Sequence, residues 1–271
     1  MTEQYAVVGN PIAHSKSPLI HGLFAEQTAQ DMEYSKIEAP LDGFSDLVKI
    51  FFSEARNKGL NVTVPFKEQA WQLCEERSTR AHRAGAVNTL YLNKQGQLCG
   101  DNTDGLGLVA DIKDHGVSLA HKKILVLGAG GAVRGVLQPI LEERPSCVVI
   151  ANRTQSKADV LVDLFTELGN VSSSSYESLD GQYDLIINGT SASLSGELPP
   201  LPDGIVGSET VAYDMMYAQQ LTVFNQWALT TGAKQAIDGL GMLVGQAAEA
   251  FAIWRGIRPE TSGVMTHIRG L

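Results

Sequence analysis

Cysteine is scarce in this 271-residue chain. Cys74, Cys99 and Cys147 stand far apart with no paired motif, so neither a disulfide framework nor a zinc site is indicated, and reduced thiols are the simpler reading. No metal is expected. Long apolar runs are also missing, since nothing approaches the ~18 consecutive apolar residues of a membrane-crossing helix. Met1-Thr2-Glu3-Gln4-Tyr5 lacks a basic stretch followed by an apolar one, so the sequence predicts a protein neither exported nor membrane-spanning, resident in the cytoplasm. Positive charge is in deficit, with 21 Lys and Arg against 30 Asp and Glu and a net charge of −9, which argues against nucleic acid as a partner because phosphate binding needs a basic footprint. Any anionic ligand must therefore meet local positive charge. The expected assembly is a monomer or a homodimer.

What is present is the material of an α/β protein. Hydrophobic residues make up 44% and charged residues 19%, which excludes disorder, and the length allows two modest domains. Tyr5-Ala6-Val7-Val8-Gly9 reads as a buried strand, and Ser17-Pro18 as an N-cap with proline opening a helix to about Gln30. A strand over 33–38, a helix over 43–57 and a strand over 60–64 continue the alternation, which predicts a largely parallel sheet. Two short helices, 67–76 and 78–84, precede a hairpin signal between Ala86 and Gly100, so this first sheet should be mixed. A domain junction is expected near 101–105.

The second region repeats the pattern more cleanly, with strands near 123–127, 147–151, 183–188 and 211–214 and helices between them, as in a doubly wound nucleotide-binding domain. Ser172 to Ser175 and Pro199-Pro200-Leu201-Pro202 read as polar loops. From Gly239 to Arg255, apolar residues at helical spacing predict a long helix. Periodicity alone allows it to close the second domain or to cross back onto the first.

Gly128-Ala129-Gly130-Gly131-Ala132 follows the apolar run Ile124 to Leu127, so it reads as a turn that brings backbone N–H groups to a pyrophosphate at a helix N-terminus. The third small residue of the full pattern would fall at 133, where Val133 stands. After the second strand comes Asn152-Arg153-Thr154 instead of the acid that an NAD enzyme places about 20 residues on. Arg153 offers a guanidinium to a 2′-phosphate, with Thr154 and Lys157 in support, which favours NADP over NAD. The plainer alternative is a solvated arginine opening the next helix.

Asn61-Val62-Thr63-Val64-Pro65-Phe66-Lys67 and, downstream, Asp104 within Asp101-Asn102-Thr103-Asp104-Gly105 offer a lysine and a carboxylate beside small amide and hydroxyl side chains, which suits proton transfer on a polyhydroxylated substrate. His14-Ser15-Lys16-Ser17-Pro18 follows the first strand, where α/β ligands gather. Ser17 serves equally well as a helix cap, whereas Ser15 has no such role, and His14 and Lys16 read as solvated loop residues. Asn61, Thr63, Asn88 and Asn102 each fall at or beside a strand end. Converging with the serines, they would supply the directional hydrogen bonds that a polyol acid needs.

These segments, together with Gly9-Asn10-Pro11, Gly85-Ala86-Val87-Asn88-Thr89 and Asp238-Gly239-Leu240-Gly241-Met242-Leu243-Val244-Gly245-Gln246-Ala247, resemble the motifs of shikimate dehydrogenases over nearly the whole chain and in the same order. The resemblance implies reversible NADPH-dependent reduction of 3-dehydroshikimate to shikimate. It also implies a mixed-sheet substrate domain over 1–101, a Rossmann-type NADP-binding domain over 102–238, and a helical segment over 239–271 that packs back on the first. Lys67 and Asp104 would be the catalytic pair, with Ser15 and Ser17 near the substrate carboxylate and Asn61, Thr63, Asn88, Tyr217 and Gln246 completing the substrate shell. The cofactor side would comprise Gly128 to Ala132, Asn152, Arg153, Thr154, Met215 and Gly239. One departure is Val223, where several family members carry proline after the threonine. The alternatives are a quinate/shikimate dehydrogenase with NAD use, and a non-catalytic NADP-binding sensor.

Overall fold

The computed structural model describes residues 2–190, 192 and 196–271. Two compact units emerge, Met1–Gly107 together with Val244–Leu271, and Leu108–Leu243. The expected boundaries at 101/102 and 238/239 fall at strand ends, whereas the divisions lie inside two helices, between Gly107 and Leu108 and between Leu243 and Val244.

The first unit begins with β1 (Glu3–Gly9), α1 (Ser17–Gln27), β2 (Met32–Glu38), α2 (Phe44–Ser53) and β3 (Asn57–Val62). It continues through α3 (Lys67–Leu73), β4 (Glu76–Arg77), α4 (Thr79–Ala84), β5 (Thr89–Leu92) and β6 (Leu98–Asp101). Its sheet runs β2-β1-β3-β5-β6-β4. The pairs β1/β2, β1/β3 and β4/β6 are parallel, while β3/β5 and β5/β6 are antiparallel, so the sheet is mixed. Central β1 is apolar from Tyr5 to Val8 because it is buried along that length, and edge strand β2 alternates because one side faces water. Beneath the sheet Phe44 and Phe66 stack with ring centroids 4.7 Å apart.

Helix α1 stops at Gln27 rather than Gln30. Ala29 takes the left-handed conformation (φ 52°) and Gln30 N–H returns to the Ala25 carbonyl at 2.9 Å, a closing turn that glycine usually signals and alanine conceals. Ser17 is not the cap of α1: Lys16 holds that position with no side-chain bond, and it is Ser15 Oγ that accepts from Ser17 N–H at 3.3 Å. The local role expected of Ser17 thus belongs to Ser15.

Helix α5 (Asp104–Asp114) leads into the second unit, built from β7 (Lys123–Leu127), α6 (Gly131–Glu142), β8 (Cys147–Ala151), α7 (Gln155–Phe165) and β9 (Val171–Ser174). Then follow β10 (Tyr183–Asn188), β11 (Val206–Asp214), α8 (Val223–Thr231) and β12 (Gln235–Asp238). All pairs are parallel in the order β12-β11-β10-β7-β8-β9, the doubly wound Rossmann arrangement. The chain reverses direction across the sheet between β7 and β10, and ligands of such sheets bind beyond the carboxyl ends of the strands at that point.

The serine run is a correction, since residues 171–174 form edge strand β9 rather than a loop. A strand at an edge needs its backbone, not its side chains, to pair, so polar composition hides it. Finally α9 (Leu240–Arg255) and α10 (Ser262–Arg269) close the chain. In the first unit, Trp254 lies on β3, where a Cβ at Gly59 would collide with the indole, and its Nε1 donates to the Leu90 carbonyl at 3.2 Å. Residues 244–271 therefore bury their apolar face on the first sheet. Among the described residues no helix is long and apolar enough to cross a membrane.

Candidate active site

Lysine 67 opens α3 and Asp104 opens α5, and the two side chains meet: Lys67 Nζ donates to Asp104 Oδ2 at 2.6 Å. The lysine side chain is 23% exposed and the carboxylate 8%, so the amine keeps a path to a ligand while the acid is held in protein. A carboxylate in the first turn of a helix is favoured by the dipole, and a lysine there is disfavoured. Pairing them offsets the second effect with the first.

Asp104 is braced from its other side. Asn88 Nδ2 donates to Asp104 Oδ1 at 2.8 Å and lies 3.3 Å from Gln246 Oε1, which α9 supplies. The preceding loop is pinned as well: Arg80 reaches Asp101 Oδ2 at 2.7 Å and the Asn102 carbonyl at 3.0 Å, and Ser78 Oγ donates to Asp101 Oδ1 at 2.5 Å. Asn102 Nδ2 donates to the Ala86 carbonyl at 3.0 Å, so this amide serves the loop itself. Arg80 was not legible as a residue that pins this loop, because a charged residue in a short helix reads as solvated surface.

Ser15 and Ser17 lie side by side, with 3.2 Å between hydroxyls. Ser17 and Asn61 are buried, and Thr63, half-buried, follows β3 and presses its methyl toward Gly9, where a Cβ would sit 2.5 Å away. Ser15, Ser17, Asn61, Thr63, Lys67, Asn88, Asp104 and Gln246 all belong to the first unit. Tyr217 belongs to the second, on the exposed segment after Met215.

In the second unit a cleft of about 510 Å³ opens at the carboxyl ends of β7, β8 and β10. Gly128 to Ala132, Asn152 and Arg153 line it, and so do Tyr176, Gly189, Thr190, Pro199 and Pro200, which sequence reasoning missed. Thr154, Lys157, Met215 and Gly239 are not among the lining residues. Thr154 heads α7, its carbonyl accepting from Asn152 Nδ2 at 2.8 Å, and Lys157 is exposed on the same helix. Met215 and Gly239 touch each other, since a Cβ at 239 would collide with the Met215 carbonyl oxygen.

The cleft has the character of an anion cradle. Gly128 holds φ at +103°, and Cβ atoms added at Gly130 or Gly131 would meet nothing within 4 Å, so the backbone at the head of α6 is open to a phosphate. Val133 occupies the place of the third small residue. Room for it comes from Gly189 at the end of β10, where a Cβ would collide with Val133 Cγ2. Arg153 is exposed and makes no ion pair among the described residues, and the buried Tyr176 lines the cleft with it. Below, Asn188 Oδ1 accepts from Thr190 Oγ1 at 2.7 Å while its Nδ2 donates to Asp214 at 3.1 Å, tying two strand-end loops together. Glycine cradle, helix N-terminus and unpaired guanidinium fit a dinucleotide bearing an extra phosphate.

Comparison with known proteins agrees with this geometry along the whole chain. Residues 7–90 match the shikimate dehydrogenase substrate binding domain, 109–195 the shikimate/quinate 5-dehydrogenase family, and 239–269 the shikimate 5′-dehydrogenase C-terminal domain. The chain is 57% identical over 269 residues to the shikimate dehydrogenase (NADP(+)) of Marinobacter nauticus and 57% over 268 residues to that of Hahella chejuensis, covering 98% of each chain in both cases. An Ael1 enzyme from Pseudomonas putida superposes with a TM-score of 0.93 at 46% identity, over 98% of both chains. Shikimate 5-dehydrogenase from Thermus thermophilus, in complex with NADP(H) and shikimate, gives 0.87 at 32% identity over 99% of both. Fold, site and sequence converge, and the chain belongs to the shikimate dehydrogenase family.

Proposed function

We propose that the protein catalyses the reversible NADPH-dependent reduction of 3-dehydroshikimate to shikimate, a step toward chorismate and the aromatic amino acids. The observation that carries this reading is the 2.6 Å contact between Lys67 and Asp104, set among Asn61, Asn88, Ser15 and Ser17 in a chain that also carries a dinucleotide cleft. NADP(H), when bound, supplies the hydride. Gly128, Ala129, Gly130, Gly131 and Ala132 hold its pyrophosphate through backbone N–H groups, while Asn152, Arg153, Thr154 and Lys157 receive the 2′-phosphate and Met215 and Gly239 its other end.

As the ketone is reduced, negative charge gathers on its oxygen, and the Lys67 ammonium stabilises that charge and delivers the proton. In the oxidation of shikimate the amine accepts it back. Asp104 keeps the amine aimed through the 2.6 Å contact. Ser15 and Ser17 donate to the substrate carboxylate, and Asn61, Thr63, Asn88, Tyr217 and Gln246 bind the ring hydroxyls. An analogue lacking a hydroxyl would leave one of these polar groups unpaired, which is the source of selectivity. The protein acts in the cytoplasm, as a monomer or a homodimer.

Steady-state kinetics with shikimate and quinate, each against NADP and NAD, test the assignment. We expect kcat/KM to be highest for shikimate with NADP. Quinate turnover with NAD at a comparable rate would overturn the choice of both substrate and cofactor.

A further inference from the structure

Hydrogen-bond chemistry fixes the direction of every link between a tyrosine on β2 and the Lys67–Asp104 pair. Thr103 N–H can only donate, and it lies 3.0 Å from Asn88 Oδ1, so the opposite, nitrogen end of that amide faces Asp104. The Asn88 backbone carbonyl can only accept, and it receives Asn61 Nδ2 at 3.1 Å, so the oxygen end of Asn61 points the other way. There the Tyr34 hydroxyl donates to Asn61 Oδ1 at 2.7 Å. Thr89 stands between the two amides, its Oγ1 accepting from Asn61 Nδ2 at 3.2 Å and donating to Asn88 Oδ1 at 2.9 Å.

The outcome is one ordered path, Tyr34 to Asn61 to Thr89 to Asn88 to Asp104, in which each group donates to the next and the carboxylate accepts last. We infer that Tyr34 and Thr89 are positioning residues for the reaction, acting through Asn61 and Asn88 to hold the Asp104 carboxylate turned toward Lys67. The inference rests on the function proposed above and deepens it.

Two further features support the head of the path. The His21 ring lies flat on Tyr34, centroids 4.1 Å apart and planes 4° from parallel, which fixes the phenol in place. Burial pushes the Tyr34 pKa well above its ordinary value, so the hydroxyl keeps its proton and remains a donor. Removing Thr89's hydroxyl would not strand its neighbours, because Asn61 Nδ2 keeps the Asn88 carbonyl and Asn88 Oδ1 keeps Thr103 N–H. The fold should survive while the amides gain freedom to rock.

The test compares wild type with Thr89→Val, Thr89→Ser and Tyr34→Phe. For each, kcat, KM and the pH profile are measured with shikimate and NADP, and melting temperature and the rate of Lys67 acylation at one fixed pH (read by mass spectrometry) without ligands. We expect Thr89→Val and Tyr34→Phe to lower kcat about ten-fold, with KM for NADP unchanged, and to raise the acylation rate of Lys67 about three-fold as the amine is freed from the carboxylate. Thr89→Ser should restore both. A Lys67 acylation rate and a pH profile identical to wild type in Thr89→Val and Tyr34→Phe, with only the melting temperature reduced, would overturn the inference. Because labelling needs no turnover, a wild type inactive on shikimate would defeat the functional assignment alone, while the acylation rates still decide the role of the path.

Discussion

A lysine at the head of one helix and an aspartate at the head of another would each be unremarkable alone, and their meaning comes from the side chains around them. Lys67 keeps partial access to solvent, whereas Asp104 is buried and its second oxygen is held by the Asn88 amide. The lysine, the aspartate and the asparagines were legible because their residue types carry the chemistry. Tyr34 and Thr89 were not, since an aromatic and a β-branched residue in strands read as core. His21 was hidden for the same reason. It is fully buried against Tyr34, Phe24 and Phe251, and burial pushes its pKa down to about 3. Its folded-state pKa lies below the unfolded value of ~6.5, so between those pH values the unfolded chain binds more protons and stability falls as the pH is lowered through the window. Each pH unit costs up to about 1.4 kcal/mol from this group alone. His21→Phe should therefore show a shallower loss of stability between about pH 6.5 and pH 4, measured as the urea midpoint at each pH. An identical slope in both proteins would mean that His21 does not titrate on unfolding.

At the scale of elements, the periodic strands and helices were readable and their fine edges were not. Buried strands β7, β8 and β10 announced themselves as apolar runs, but edge strand β9 is nearly all serine and β4 is two residues long. The departure at Val223 has a simple structural sense. Thr222 caps α8, accepting from Asn225 N–H at 3.2 Å, and Val223 takes the first helical position, where proline is favoured elsewhere and any residue fits. The glycine turn shows how a pattern can depart from its template without loss. Val133 replaces the usual small residue, and Gly189, 61 positions beyond Gly128 (189 − 128), gives back the space. Gly189→Ala should destabilise the protein by about 1–3 kcal/mol through overpacking, and the loss should be smaller in a Val133→Ala background, as chemical denaturation of the four-protein cycle would show. Strict additivity across that cycle would refute the compensation.

For the whole molecule, net charge and the site point in opposite directions, and the site decides. A chain carrying −9 overall nonetheless leaves Arg153 exposed, with no ion pair among the described residues, beside an open glycine cradle, so what it offers an anionic ligand is local geometry rather than a basic surface. The α/β class, the mixed first sheet and the doubly wound second one followed from hydrophobic patterning. The destination of the C-terminal helix did not, because an amphipathic pattern specifies an apolar face and not the surface that receives it; Trp254 against Gly59 supplies that information only in three dimensions. The further lining residues of the cleft at the glycine turn, Tyr176, Gly189 and Pro199, stand outside any motif and converge only when the strands pair. The central claim, that one amine moves the proton while NADPH is consumed, is tested most directly by steady-state oxidation of NADPH by 3-dehydroshikimate with wild type and Lys67→Ala. The account predicts a kcat lower by about two to four orders of magnitude in the variant with KM for substrate changed far less. Near-wild-type turnover by Lys67→Ala would contradict it.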